Sequence, residues 1–161
     1  MKESEIIRLY DMYSDSIYKL AYSYVGSAQD AEDVVQSIFL KLIQKDIHIS
    51  KGKEKSYLLT MAVNACKDIL KSAGQRLAVP FEEMISASDE TGVNIFSEEE
   101  SGLFEALKKL PEDYRVTIHL HYFEGYKVKE IAKIMKISTS AVTMRLTRGR
   151  NMLAELMENN S

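Results

Sequence analysis

The 161-residue chain is predicted to be all-α: an N-terminal bundle of three to four helices and a C-terminal four-helix unit joined by an acidic linker. Three observations predict this. Apolar residues recur at helical spacing in three successive N-terminal segments and again from Glu98 onward. No stretch shows the alternation of a half-buried strand. Between the two helical blocks, residues 74–97 have weak periodicity, contain Pro80 and Gly92, and carry four carboxylates. The expected boundaries are therefore 1–73, 74–97 and 98–161.

Each element has its own justification. A first helix from about Glu3 to Tyr24 places Ile6, Ile7, Tyr10, Tyr13, Ile17, Leu20, Ala21 and Tyr24 on one stripe, and Gly26 stops it. Ser27 and Asp30 have capping-box spacing and open a second helix, whose stripe is Ala31, Val34, Val35, Ile38, Phe39, Leu42 and Ile43. A loop from Lys45 to Lys55 holds Gly52 and four lysines. The third helix, Ser56 to Ala73, buries Leu58, Met61, Ala62, Ala65, Ile69 and Leu70. A short helix is expected in the linker near Phe81 to Ile85. Helix resumes from Glu98 to Leu110, Pro111 opens another through Phe123, and Gly125 ends it.

The tract Tyr126 to Arg150, YKVKEIAKIMKISTSAVTMRLTRGR, reads as two short helices about a tight turn. Val128, Ile131, Ala132 and Met135 form the inner face of the first, and Ser138 is an N-cap for the second. In that second helix Ala141, Val142, Leu146 and Leu153 point inward. Thr139, Ser140, Thr143, Arg145, Thr147, Arg148 and Arg150 are polar and expected to face out, with no carboxylate between Ser138 and Asn151. Small hydroxyl residues followed by arginines suit a major groove, where they reach base edges and phosphates. An ordinary helical hairpin with a solvated cationic face is the plainer alternative.

Charge is unevenly spread. The net charge is −3, but residues 1–71 balance ten Lys/Arg against ten Asp/Glu, residues 72–100 carry one Arg against seven acids, and residues 101–161 carry ten against seven. The helix-turn-helix segment is thus basic and the middle acidic. Other chemistry is not indicated. Cys66 is the single cysteine, which excludes disulfide scaffolds and cysteine zinc clusters, and a buried structural thiol is expected there. His119 and His121 diverge by roughly 160° on a helix and cannot share a metal. His48 has no evident partner in sequence, and neither a phosphate-cradling loop nor a nucleophile elbow is present. No cofactor, metal, small-molecule substrate or catalysis is expected. No apolar run approaches bilayer length and no leader is visible, so a cytoplasmic protein is expected.

Two segments carry a family resemblance. DAEDVVQSIFLKL, Asp30 to Leu42, resembles the second conserved region of bacterial sigma factors of the extracytoplasmic-function (ECF) type. LKKLPEDYRVTIHLHYFEGYKVKEIAKIMKISTSAVTMRLTRGR, Leu107 to Arg150, resembles their fourth region. The resemblance implies a non-catalytic subunit that binds core RNA polymerase and selects promoter DNA. It implies polymerase docking by Asp30, Glu32, Asp33 and Gln36, whose bland reading is complementation of a helix dipole. It implies opening of the minus-ten element and capture of a flipped base by Lys51, Lys53, Lys55, Ser56, Tyr57, Thr60, Asn64, Lys67 and Lys71. It implies minus-thirty-five contacts by Ser140, Thr143, Met144, Arg145, Thr147, Arg148 and Arg150.

The linker of such proteins threads through the polymerase, and an anti-sigma factor is a further candidate partner. The chain departs from the family where Tyr57 replaces a Trp, Thr60 and Val63 replace arginines, and Lys136 occupies a turn position that favours glycine. A free-standing helix-turn-helix regulator and a protein-binding adaptor remain as rival readings.

Overall fold

A computed structural model describes residues 1–76 and 98–159, and the expected linker helix near Phe81 to Ile85 lies outside them. The described residues are helical with no strand. The chain divides into two compact units, Met1–Asp89 and Glu90–Ser161. Among the described residues no helix is long and apolar enough to cross a membrane.

In the first unit α1 (Glu3–Val25) and α2 (Ala28–Gln44) form a hairpin across which α3 (Glu54–Arg76) packs. Gly26 closes α1 in the left-handed conformation, its N–H donating to the Tyr22 carbonyl at 2.9 Å. Ser27 then caps α2, with Oγ accepting from the Asp30 N–H at 3.2 Å. Leu9, Ile17 and Leu20 of α1, Ala31, Val34, Ile38 and Leu42 of α2, and Leu58, Leu59, Ala62, Val63 and Cys66 of α3 make the core. Burial pushes the Cys66 thiol well up, and the Asp30 charge adds to this, so the thiolate needed for redox or metal chemistry is disfavoured.

Three stripe assignments are corrected. Ile7 and Tyr10 are half exposed, and Ile43 is 66% exposed. Leu9, Ile17 and Leu20 set the centre of the α1 stripe, and Ile7 lies roughly 130° from it. Tyr10 instead meets the Phe39 ring edge-on, at 5.0 Å between centroids. Ile43 is roughly 110° from the centre of the α2 stripe, so periodicity over its last turn was misleading.

In the second unit α4 (Glu98–Leu107) ends earlier than expected, three residues before Leu110. The residue before Pro111 is biased away from helix, and the freed carbonyls find another donor. That donor is Arg115, 1% exposed, whose Nη1 donates to the Lys108 carbonyl at 3.3 Å and the Leu110 carbonyl at 3.1 Å. Pro111 precedes α5 (Glu112–Ile118), which widens into a π turn over His119–Phe123 before Gly125 reverses the chain. Buried His119 stacks on Phe123 at 4.9 Å, its Nε2 3.7 Å from Glu124 Oε1.

The helix-turn-helix follows as α6 (Val128–Met135) and α7 (Thr139–Asn159). Lys136 takes the left-handed conformation (φ 59°, ψ 46°), and the Ile137 N–H returns to the Ala132 carbonyl at 3.1 Å. The turn therefore keeps the glycine-favouring geometry with a lysine in it. Ser138 Oγ accepts from the Ala141 N–H at 3.1 Å and caps α7. α7 packs against α5, α6 and α4. At Gly149 a Cβ would stand 2.6 Å from Ile118 Cδ1, 3.3 Å from its Cγ1 and 3.6 Å from Tyr114 Cβ.

Opposite outcomes are expected at these two positions. Lys136→Gly relieves the left-handed strain, costing part of that gain in unfolded-state entropy, for a net stabilisation of about 0.5–1 kcal/mol. Gly149→Val overpacks the α5–α7 contact against fully buried Ile118 and destabilises by about 1–3 kcal/mol. Urea unfolding followed by circular dichroism checks both; a stabilising Gly149→Val change would contradict the packing.

Candidate nucleic-acid and partner-binding surfaces

The burial of α7 divides its polar residues. Ser140, Thr143, Met144 and Thr147 are all exposed and share one outward arc. Arg148 and Arg150 are exposed on opposite flanks of that arc, roughly 160° apart. The centre of this arc is therefore neutral, with a cation at either side. Thr143 Oγ1 donates to the Thr139 carbonyl at 3.0 Å, which leaves its oxygen available as an acceptor towards a base amino group.

Arg145 departs from the expected outward orientation. It lies roughly 150° from the centre of the exposed arc and its side chain is only 18% exposed. Its Nη2 stands 4.0 Å from Asp113 Oδ2 on α5, and its Nη1 is buried with no hydrogen-bond partner among the described residues. Arg145 therefore faces Asp113 of α5 and lies off the exposed arc. Arg150 is held as well, through Nε to the Leu146 carbonyl at 3.1 Å and Nη1 to the Tyr122 hydroxyl at 3.3 Å. The sequence reading missed Tyr122, because its path onto α7 depends on the π turn.

A second arc runs along α3. Ser56, Tyr57, Thr60, Asn64, Lys67 and Lys71 fall within roughly 100° of one another around the helix. Tyr57 and Lys71 are exposed, the others partly buried. The Ser56 hydroxyl donates to the Lys53 carbonyl at 3.2 Å and the Thr60 hydroxyl to the Ser56 carbonyl at 2.7 Å, so both offer outward lone pairs only. Asn64, with an amide that both donates and accepts, is the more versatile base-edge group. Val63, by contrast, is fully buried, so it belongs to the core and not to this arc.

The preceding loop turns with the Lys53 N–H donating to the Ser50 carbonyl at 3.0 Å and Gly52 at φ 85°, which puts exposed Lys51 at the tip. Lys51, His48, Asp46, Arg8 and Glu54 border a cleft of about 430 Å³. Arg8 grips both Glu54 oxygens, at 3.2 and 3.0 Å, and so ties the first turn of α3 to α1.

The third surface is on α2. Glu32, Asp33 and Gln36 are exposed on one arc. Asp30 is not with them: it is half buried on the other flank, where its N–H meets the Ser27 cap and its charge acts on Cys66. The arc continues instead through Leu40, 52% exposed, and Ile43. These two were missed as surface residues. The signal was available, since Leu40 stands four and eight residues after Gln36 and Glu32 and must share their side.

The Sigma-70 region 2 family matches residues 9–76, and the Sigma-70, region 4 family matches residues 102–153. The ECF RNA polymerase sigma-E factor of Haemophilus influenzae is 31% identical over 162 residues, covering 90% of this chain and 83% of that protein. The ECF RNA polymerase sigma factor BldN of Streptomyces coelicolor is 30% identical over 157 residues, covering 93% of this chain but 59% of that protein. The chain thus spans less than two thirds of the Streptomyces relative. Among solved structures, the sigma factor RpoE in complex with the anti-sigma factor NepR from Bartonella quintana matches with a TM-score of 0.74 at 20% identity, over 96% of this chain and 97% of that one. That likeness speaks for the fold, and the sequence relatives speak for the family. With region 2 before region 4 and relatedness along nearly its whole length, the chain belongs to the ECF family of RNA polymerase sigma factors.

Proposed function

We propose that the chain is a non-catalytic, cytoplasmic subunit that binds core RNA polymerase and directs it to a class of promoters. The observation that carries this is the α7 face: neutral residues at its centre, a cation on each flank, and no carboxylate from Ser138 to Asn151. Such a face suits the major groove of the minus-thirty-five element, with the arginines at the phosphate walls or at guanine edges. The α3 arc and the Lys51 loop take the minus-ten element, where Tyr57 supplies a stacking wall and Asn64 reads a base edge. Fewer cations on α3 than its family carries weaken phosphate attraction there.

Core polymerase docks on Glu32, Asp33 and Gln36, with Leu40 and Ile43 extending the contact. Exposed apolar residues beside charges are what a partner covers. Asp30 keeps a capping role. An anti-sigma factor is a candidate second partner; the Bartonella sigma factor of similar fold was solved with one.

Arg148→Ala is expected to weaken minus-thirty-five binding by about 1–3 kcal/mol, as loss of a bidentate base contact does. Promoter-fragment affinity of the reconstituted holoenzyme measures this, with circular dichroism confirming the fold; unchanged affinity removes Arg148 from the interface. Single exposed ion pairs contribute little, so Glu32→Ala alone is expected to have a small effect. Reversal of Glu32 and Asp33 together to lysine abolishes co-elution with core enzyme and transcription while the unit stays folded. Holoenzyme of wild-type affinity from that double variant would place docking elsewhere.

A further inference from the structure

We infer that Tyr122 and Arg150 form a preorganised clamp for a single DNA backbone phosphate at the edge of the α7 face. This rests on the reading of α7 as the groove-facing helix. Arg150 is anchored twice, by Nε on the Leu146 carbonyl at 3.1 Å and by Nη1 on the Tyr122 hydroxyl at 3.3 Å. Because the tyrosine oxygen accepts from the guanidinium, its own proton is free to donate outward. The hydroxyl and the remaining guanidinium N–H groups thus offer converging donors beside a fixed positive charge. A phosphodiester oxygen is the ligand that this combination fits, being an acceptor with negative charge.

The clamp is built from two elements and has a contact that holds it at each. Arg150 sits on α7, one flank away from the Thr143–Thr147 centre. Tyr122 sits on the π turn and is half exposed. Its ring meets the His121 ring edge-on at 4.9 Å, and His121 Nδ1 is 3.0 Å from the Tyr126 carbonyl. A carbonyl only accepts, so that bond requires a proton on Nδ1 and fixes the imidazole orientation. The widened turn thereby aims Tyr122 at α7, a structural reason for a π turn at this point. An unanchored arginine loses side-chain entropy on meeting a phosphate; this one has already lost it.

The test is promoter-fragment affinity of holoenzyme assembled with the wild-type chain, Tyr122→Phe, Arg150→Gln, both together, and Arg148→Ala. Tyr122→Phe keeps the ring and removes only the hydroxyl. It is expected to weaken binding roughly three- to tenfold, equally for cognate and altered minus-thirty-five sequences, with the thermal transition of the chain unchanged. Arg150→Gln is expected to lower the salt slope of binding by about one. In the Arg150→Gln background the Tyr122→Phe change should then have no further effect. Full affinity in Tyr122→Phe, the same loss in the Arg150→Gln background, or a loss that tracks a lowered melting temperature would each overturn the clamp. If Arg148→Ala is silent too, the groove-facing reading of α7 falls with it; if only the clamp variants are silent, that reading stands and the clamp alone is wrong.

Discussion

The surface that α7 offers depends on how closely the helix lies against α5. Gly149 faces Ile118 and Tyr114 at a distance that admits no Cβ, so the two backbones approach as glycine allows. This contact sets the rotation of α7 about its axis. From that rotation follow the burial of Val142 and Leu146, the outward set of Ser140, Thr143, Met144 and Thr147, and the placement of Arg148 and Arg150 on opposite flanks. Arg145 faces Asp113 at the edge of the same contact. Arg115 holds the other side of α5 to the end of α4. A helix so fixed presents a face with little freedom left to lose on binding.

The two units use charge differently. The second unit places cations around a neutral centre, which matches a groove between two phosphate walls. The first unit separates its signs: acids with Leu40 and Ile43 on α2, and lysines, Tyr57 and Asn64 on α3 and its loop. One helix thus suits a basic protein partner and its neighbour suits nucleic acid. Residues 72–100 carry one Arg against seven acids, a charge that opposes DNA unless a third party neutralises it. On the proposed reading, core polymerase supplies that neutralisation, so selection of promoters is a property of the complex.

Much of this was legible in the sequence, for identifiable reasons. The helices of both units announced themselves because long amphipathic segments with capping residues leave strong periodic signals, as at Ser27, Pro111 and Ser138. The strained turn at Lys136 was also readable, since a helix-turn-helix needs a left-handed residue there. What the sequence hid depends on rotation by fractions of a turn. Arg145 and Arg150 look equivalent to Arg148 in a string, yet only the packing of α7 decides which of them turns inward and which meets Tyr122. Ile43 continued an apolar pattern but lies on the polar arc, and Asp30 sits in the acidic motif but is half buried, off the arc of Glu32, Asp33 and Gln36. The π turn leaves no compositional mark, so the aim of Tyr122 at Arg150 could not be foreseen.

On the proposed reading, promoter recognition by this chain is conditional on the polymerase. Promoter-fragment affinity at one physiological salt concentration, measured for the free chain and for the holoenzyme, decides this. Specific binding by the holoenzyme is expected, and weak binding by the free chain that scarcely distinguishes the promoter from unrelated duplex. A free chain that binds its promoter as tightly and selectively as the holoenzyme does would rule out this dependence and identify a free-standing regulator.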